Sequence, residues 1–259
     1  MKKMMPAIFV GHGSPMNAVE NNNFSRAWER LGSTLPKPKA ILSVSAHWYR
    51  RGTAVMAAET PRTIHDFGGF PPELYQIVYP AKGDPALAER VQELLAPLSV
   101  AADADWGLDH GTWSVLLRAY PRADVPVIQL SIDERQPPEY HYTLGSKLAP
   151  LREEGILIMG SGAVVHNLAA YNWRNSGVKP YPEGVRFEER VRELLLNGDD
   201  DGLMAYETLG RDAKFSAPTP DHYLPLLYIA GARNKGESIS FPVAGFDGGA
   251  VSMLSMQVG

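Results

Sequence analysis

Short, nearly continuous apolar runs alternate with amphipathic stretches along this chain, and the alternation restricts its possible folds more than any other feature. Runs of this kind are typical of strands that are covered on both faces. They occupy residues 7–10, 40–46, 54–58, 125–132, 156–162 and 238–243. The three-to-four spacing of amphipathic helices occupies residues 86–98, 140–155 and 185–199. The pattern predicts an α/β fold, with a largely parallel central sheet flanked by helices.

The chain has 259 residues, which is long enough for one large domain with a substantial core. It contains no internal repeat, no low-complexity tract and no segment typical of a linker. The Pro/Gly-rich stretches 60–75 and 173–184 are predicted to be long loops, and loops of such length are often functional. We therefore expect a single domain over residues 1–259.

The composition excludes several classes of function. The net charge of −4 gives no reason to expect nucleic acid or an anionic membrane as a partner. The first ten residues, MKKMMPAIFV, contain no long apolar stretch, so we expect no signal peptide, no membrane span and a cytoplasmic location. No stretch marks a large self-association surface, and a monomer is expected. Because there is no cysteine, any metal ion must be held by histidine and carboxylate side chains.

Three of the seven histidines follow strand-like runs. His12 follows AIFVG, His47 follows ILSVSA, and His166 follows ILIMGSGAVV. Ligands bind at the carboxyl ends of strands in open α/β sheets, so these imidazoles are expected to converge there. A single histidine, taken alone, is more often a hydrogen-bonded structural residue than a metal ligand. Together the three predict a site for a divalent metal ion at this edge of the sheet.

The remaining histidines have different surroundings. His222 lies in PTPDHYLPLLY, at the start of a helix predicted over 223–231, and His110 directly precedes another predicted helix. His65 lies in the loop TIHDFGGFPPELY, which is either a simple turn-rich loop or a wall of a substrate pocket. His141 has no comparable context and is expected to be exposed or to pack against neighbours.

Two other interpretations of these motifs are disfavoured. The stretch GHGSPM has Gly11 and Gly13 of a dinucleotide-binding loop, but Met16 stands where the third glycine is needed. Ser14 and Ser161 lie near histidines in the sequence, yet the G-x-S-x-G motif of serine hydrolases is absent.

Six motifs, in order, resemble those of the class III extradiol ring-cleaving dioxygenases (LigB-like), and most of all the branch that cleaves DOPA (3,4-dihydroxyphenylalanine). They are GHGSPM, SAHW, IHDFGGFP, DHGTW, SGAVVHN and PTPDHYLPLLY, and the similarity covers residues 5–259. The resemblance implies that His12 and His47 are metal ligands. It places His222 where the wider superfamily usually has a glutamate, which gives an all-histidine site.

The same resemblance implies the chemistry. One divalent ion per chain is expected, Zn²⁺ as found or Fe²⁺ for turnover, because O₂ activation calls for a redox-active metal. His166 matches the acid/base histidine and is a candidate fourth ligand, and His110 matches the histidine that contacts substrate or oxygen. The expected reaction inserts O₂ into the ring of a small catechol, with DOPA the leading candidate, and gives a ring-opened semialdehyde.

Aromatic residues near these motifs suit a catechol pocket. Trp48 and Phe70, together with His65, are the predicted substrate contacts, and Phe67, Trp113 and Tyr223 are also considered, although any one aromatic residue taken alone is more readily a core residue. Asp109 either orients His110 or caps a helix. Arg50, Arg51 and Asp66 are candidates for an amino-acid group by proximity alone. A zinc-dependent hydrolase and a non-catalytic metal-binding protein remain as alternatives.

Overall fold

The computed structural model describes residues 4–259, and an eight-stranded sheet forms its centre. Lys2 and Lys3, which entered the expectation of no signal peptide, lie outside the described residues. The strands are β1 (Ala7–Gly11), β2 (Ala40–Arg50), β3 (Ala54–Met56), β4 (Ala101–Asp103), β5 (Val127–Asp133), β6 (Ile156–Gly162), β7 (Ile239–Val243), β8 (Phe246–Asp247), β9 (Val251–Ser252) and β10 (Ser255–Val258).

The middle of the sheet is parallel, as predicted. The strand order is β4-β3-β5-β2-β6-β1-β10-β7, and β5, β2, β6 and β1 pair in parallel. Antiparallel pairing occurs at β3–β5, β1–β10 and β10–β7, while β8 and β9 form a separate small pair. The inner strands are buried along their length, which explains why they read as continuous apolar runs.

Nine α-helices lie among the described residues, beside short 3₁₀ turns at Pro15–Ala18, Pro72–Gln76 and Tyr206–Leu209. They are α1 (Asn23–Thr34), α2 (Pro85–Leu95), α3 (His110–Ala119), α4 (Pro138–Leu148), α5 (Leu151–Glu154), α6 (Pro182–Asn197), α7 (Asp200–Met204), α8 (Arg211–Ser216) and α9 (Leu224–Gly231). The helix predicted over 140–155 is in fact two helices. Pro150 separates them, because proline lacks the N–H that a continuous helix would use.

The carboxyl ends of three neighbouring strands create the edge at which the histidines meet. Strands β2, β6 and β1 are adjacent and parallel, so they end on the same side of the sheet. Strand β2 runs four residues past its predicted end at Ala46 and contains His47. Its pairing with β5 changes register between Val44 and Tyr49, so the backbone around His47 leaves the regular ladder.

Helix α9 brings the segment before it against the end of β6. This helix is buried all round, and the backbone N–H of Ala163 donates to the carbonyl of His222 at 2.9 Å. A side-chain carbon at Gly162 would collide with that same carbonyl. Glycine at this position therefore allows the close approach that places His222 beside the strand ends.

No helix among residues 4–259 combines the length and the apolar character needed to cross a membrane.

Candidate metal centre

Five histidines surround one cavity of about 310 Å³ at the carboxyl edge of the sheet. They come from separate parts of the chain: His12, His47, His110, His166 and His222. The nitrogens of His12, His47 and His222 lie within 4.8 Å of one another, in an arrangement that could hold a metal ion. The strand ends predicted that His12, His47 and His166 converge, and all three line this cavity.

The position of His12 is fixed by the strand end and by a serine. Its backbone N–H donates to the carbonyl of Gly162 at 3.1 Å, and its Nδ1 lies 3.0 Å from the hydroxyl of Ser161. That hydroxyl donates its only proton to the carbonyl of Gly111, at 2.5 Å. Ser161 must therefore accept from the Nδ1–H of His12, which leaves the His12 Nε2 with a free lone pair.

Carboxylates orient the other two imidazoles in the same way. The Nδ1 of His47 donates to Asp66 at 3.0 Å, and the Nδ1 of His222 donates to the adjacent Asp221. A carboxylate only accepts hydrogen bonds, so in each neutral ring the Nε2 carries the lone pair. Histidine ligands of protein-bound metals usually have this second hydrogen bond, which fixes the tautomer.

The three Nε2 atoms face one another, and this fits a cation at their centre. The Nε2 atoms of His12 and His47 are only 3.1 Å apart, and the buried Nε2 of His222 has no hydrogen-bond partner. Two lone pairs at that distance repel unless a proton or a metal ion lies between them. Burial lowers the pKa of His12 and of His222, which favours the neutral form that a metal requires. The donor set therefore suits one divalent ion.

His47 differs from these two rings in its electrostatics. Burial alone lowers its pKa, but the hydrogen bond to Asp66 and the negative charge of Asp109 outweigh burial, and the pKa is raised. The pKa of Asp66 is held well below its usual range: burial opposes this, but the hydrogen bonds from His110 and His47 dominate. Asp66 is therefore ionised. Of the five histidines that line the cavity, His47 alone has a raised pKa.

His166 lies against the ring of His222. The two rings stack with centroids 3.4 Å apart and planes 6° from parallel, and the His166 backbone is held by the carbonyl of Ser216 at 2.7 Å. Burial and the neighbouring His222 lower the pKa of His166 to about 2, so the ring is neutral. His166, Asp221 and His222 form a second possible metal-binding group.

His110 begins helix α3, and its partner is Asp66 rather than Asp109. Asp66 Oδ1 accepts both the backbone N–H and the Nδ1–H of His110, each at 3.0 Å. Asp109 instead caps α3 by accepting from the Thr112 N–H at 3.1 Å, and it also accepts from Gln129 at 2.6 Å. Of the two roles considered for Asp109, the structure shows the helix cap.

The predicted aromatic contacts separate into two groups. Phe70 lines the cavity, and so does Phe67, whose ring meets His110 edge-on at 5.5 Å. Trp48 does not line it: successive side chains of a strand point to opposite faces, and Trp48 stacks on Trp106 at 5.0 Å, away from His47. His65 is also absent from the wall.

His65 instead supports the loop that carries the wall. Its Nε2 donates to the carbonyl of Ile77 at 3.0 Å, and its ring packs edge-on against Phe67 at 5.8 Å. Trp113 is fully buried and donates from its indole N–H to the carbonyl of Ile64 at 2.8 Å. Tyr223 is likewise a core residue. Trp113, which also contacts the His65 ring, holds this loop against α3.

The charged residues near the motifs are engaged elsewhere. Arg50 pairs with Asp103 at 3.3 Å, and Arg51 pairs with Glu134 at 3.0 Å. Neither arginine lines the cavity, and Asp66, which does, is bonded to two imidazoles.

The far wall of the cavity was not foreseen. It consists of Leu168, Tyr171 and Trp173, from the long loop after β6, and Trp173 is 66% exposed at the mouth. A second cavity of about 510 Å³ shares Ser14, Phe70, Tyr171 and Trp173 with the first. Three charged residues line it: Glu20, Arg174 and Asp247. The one sequence signal for the far wall was the Pro/Gly-rich stretch 173–184, which contains Trp173 but neither Leu168 nor Tyr171.

These features define an α/β protein with a cluster of imidazoles that could hold a metal ion, in a cavity lined partly by aromatic side chains. Residues 6–245 match the family described as the catalytic LigB subunit of aromatic ring-opening dioxygenase, and the chain belongs to that family. The family's enzymes use a metal ion.

Relatives of known sequence and structure agree with this assignment. The chain is 52% identical to a 4,5-DOPA dioxygenase extradiol of Escherichia coli (strain K12), over 98% of this chain and 95% of the relative. It is 39% identical to a 4,5-DOPA dioxygenase extradiol of Beta vulgaris, over 95% and 93%. A crystal structure of an uncharacterised E. coli K12 protein superposes with a TM-score of 0.86 at 47% identity, covering 98% of this chain and all of that one.

Proposed function

We propose that this protein is an extradiol dioxygenase that opens the ring of a small catechol, with DOPA the leading substrate. The observation that carries the proposal is the inward-facing set of Nε2 lone pairs on His12, His47 and His222, each fixed by a partner on Nδ1, at the floor of an aromatic cavity. These three residues would hold the metal ion, with His166 as a candidate fourth ligand. When bound, the ion supplies the positions and the redox chemistry with which a catechol and O₂ are brought together.

The chain's own residues would handle protons and orientation. His166 lines the cavity and is our candidate for the group that takes up a catechol hydroxyl proton and returns it later. The His110 ring donates from Nδ1 to Asp66 and so presents an Nε2 acceptor to the cavity, where it would position the second hydroxyl. Phe67 and Phe70 would pack on the catechol ring and exclude water.

The adjoining cavity supports an amino-acid side chain on the substrate. DOPA carries an ammonium and a carboxylate, and Glu20, Asp247 and Arg174 line the second cavity, which meets the first at Phe70 and Tyr171. Relatives across nearly the whole chain carry the name 4,5-DOPA dioxygenase extradiol, which favours the same substrate here.

The all-nitrogen ligand set is compatible with both Zn²⁺ and Fe²⁺. We propose Fe²⁺ as the ion of the active enzyme, because ring opening by O₂ needs a metal that changes redox state, and Zn²⁺ as the ion most readily retained. A reducing cytoplasm would keep iron ferrous. We also propose a monomer, because no stretch of the sequence marks a large self-association surface, and light scattering after gel filtration would test this.

Anaerobic loading with Fe²⁺, followed by DOPA or 4-methylcatechol and then air, tests the function. The expected result is a yellow ring-opened semialdehyde from the iron form and none from the matched zinc form. The His12→Ala variant should lose bound metal in elemental analysis and give no colour. Absence of colour with every catechol tried would overturn the proposal, and ester hydrolysis by the zinc form would then indicate a hydrolase.

A further inference from the structure

Asp66 connects two histidines that have different tasks in the proposed reaction. Its Oδ2 accepts from the Nδ1 of His47, a proposed metal ligand, at 3.0 Å. Its Oδ1 accepts from the Nδ1 and from the backbone N–H of His110, the proposed substrate contact, at 3.0 Å each. One carboxylate thus fixes the tautomer of both rings, whose centroids are 4.0 Å apart.

The other ligands have separate supports. Ser161 bonds His12 alone among the imidazoles, and Asp221 bonds His222 alone. Within residues 4–259, Asp66 is therefore the one side chain whose hydrogen bonds join a proposed metal ligand, His47, to the proposed substrate contact, His110.

The loop that carries Asp66 is held in place independently of the two histidines. The Ile64 N–H donates to the carbonyl of Leu108 at 2.7 Å, and the Ile64 carbonyl accepts from Trp113 at 2.8 Å. On the other side, His65 is bonded to Ile77 at 3.0 Å. The Asp66 side chain is about one-fifth exposed and borders the cavity, and the two residues before it are held by hydrogen bonds that involve neither ring.

We propose that Asp66 is a positioning residue that couples metal binding to substrate contact by fixing His47 and His110 together. The inference rests on the proposed function for its kinetic consequence, but the tautomers and the metal affinity do not depend on turnover. Groups of this kind usually change metal affinity by about 10–100-fold when they are removed.

The Asp66→Asn variant tests the support that Asp66 gives to His47. An amide keeps one acceptor oxygen and replaces the other with a donor. Because Oδ1 serves two donors of His110, the amide oxygen is expected to stay there, and the amide N–H₂ then faces His47. His47 must then take the tautomer with a proton on Nε2, which cannot bind the ion.

The matched control is Asp221→Asn, which removes the equivalent carboxylate from His222 alone. In chelator competition, both variants are expected to bind Zn²⁺ about 10–100-fold more weakly than the wild type. At saturating Fe²⁺, Asp66→Ala, which removes the acceptor of both rings, should raise the KM for 4-methylcatechol at least threefold, whereas Asp66→Asn and Asp221→Asn should keep the wild-type KM. Wild-type zinc affinity in a folded Asp66→Asn protein, or a wild-type KM in a folded Asp66→Ala protein, would overturn the coupling.

Imidazole ¹⁵N NMR of the wild-type zinc protein provides a test that needs no variant to fold. Both His47 and His110 are expected to carry their proton on Nδ1. A proton on Nε2 of either ring would contradict the proposal. If the wild type opens no catechol while these spectra and affinities come out as expected, the proposed function fails and the role of Asp66 in metal binding stands.

Discussion

Removal of one hydroxyl, in the Ser161→Ala variant, is expected to weaken metal binding without touching a ligand. Ser161 is fully buried, accepts from the His12 Nδ1–H at 3.0 Å and donates to the Gly111 carbonyl at 2.5 Å. Gly111 lies in helix α3, where its carbonyl retains a backbone partner. The main loss is therefore at His12, whose Nδ1–H is left buried without an acceptor.

The size of the effect follows from that single orphaned donor. A buried polar group that loses its partner costs about 1–3 kcal/mol. We expect the free energy of unfolding of the metal-free protein to fall by that amount, which lowers Tm by roughly 2–4 °C per kcal/mol for a domain of this size. His12 can avoid the cost by moving its proton to Nε2, which removes the metal-binding lone pair. Zinc affinity should then fall by about 10–100-fold.

Ser114→Ala is the matched control for this experiment. Ser114 is also a fully buried serine, lies in α3 and has an Oγ without a hydrogen-bond partner. Its removal should leave zinc affinity unchanged and should not lower the free energy of unfolding. The assay is chelator competition for affinity and calorimetry for Tm. If Ser161→Ala and Ser114→Ala bind zinc equally well, the proposed tautomer of His12 is refuted.

The remaining predictions concern the walls of the two cavities. Trp113→Phe removes the hydrogen bond to Ile64 and loosens the loop 64–70. The kcat/KM for 4-methylcatechol should therefore fall roughly tenfold, while elemental analysis should show that the protein retains its metal. Loss of the metal would refute this prediction. Trp48→Phe shortens the stack on Trp106 and should reduce the free energy of unfolding by about 1–2 kcal/mol in urea titration, with no change in KM, because Trp48 faces away from the cavity. A raised KM would restore Trp48 as a substrate contact. Arg174→Gln should raise the KM for DOPA roughly two- to fivefold and leave the KM for 4-methylcatechol unchanged, as expected for a solvent-exposed ion pair with the DOPA carboxylate. Parallel changes for both substrates would argue against that contact.

Much of the fold could be predicted because burial on both faces leaves a direct trace in the sequence. The runs at 40–46 and 156–162 became β2 and β6, and the histidines that follow them lie at one edge because parallel neighbours end together. Helix α1 was not predicted. Its signals were present in the capping box of Asn22 and Ser25, but the helix is polar overall and has only a narrow buried stripe.

The parts of the site that escaped prediction depend on tertiary contacts or on orientation. Asp66 meets His110 across 44 positions of sequence, and only the course of the loop 64–70 brings them together. Trp48 was assigned to the pocket because it adjoins His47, yet the alternation of a strand puts neighbours on opposite faces. Sequence proximity thus identified the right segment and the wrong side chain.

Anomalous diffraction from crystals of the zinc-loaded and the anaerobically iron-loaded protein tests the central claim most directly. Each crystal is expected to show one anomalous peak per chain at the absorption edge of its own metal. The peak should lie in contact with the Nε2 atoms of His12, His47 and His222. A peak bound by Nδ1 of any of these rings, a peak held by His47, Asp66 and His110, or no peak in the cavity would contradict it.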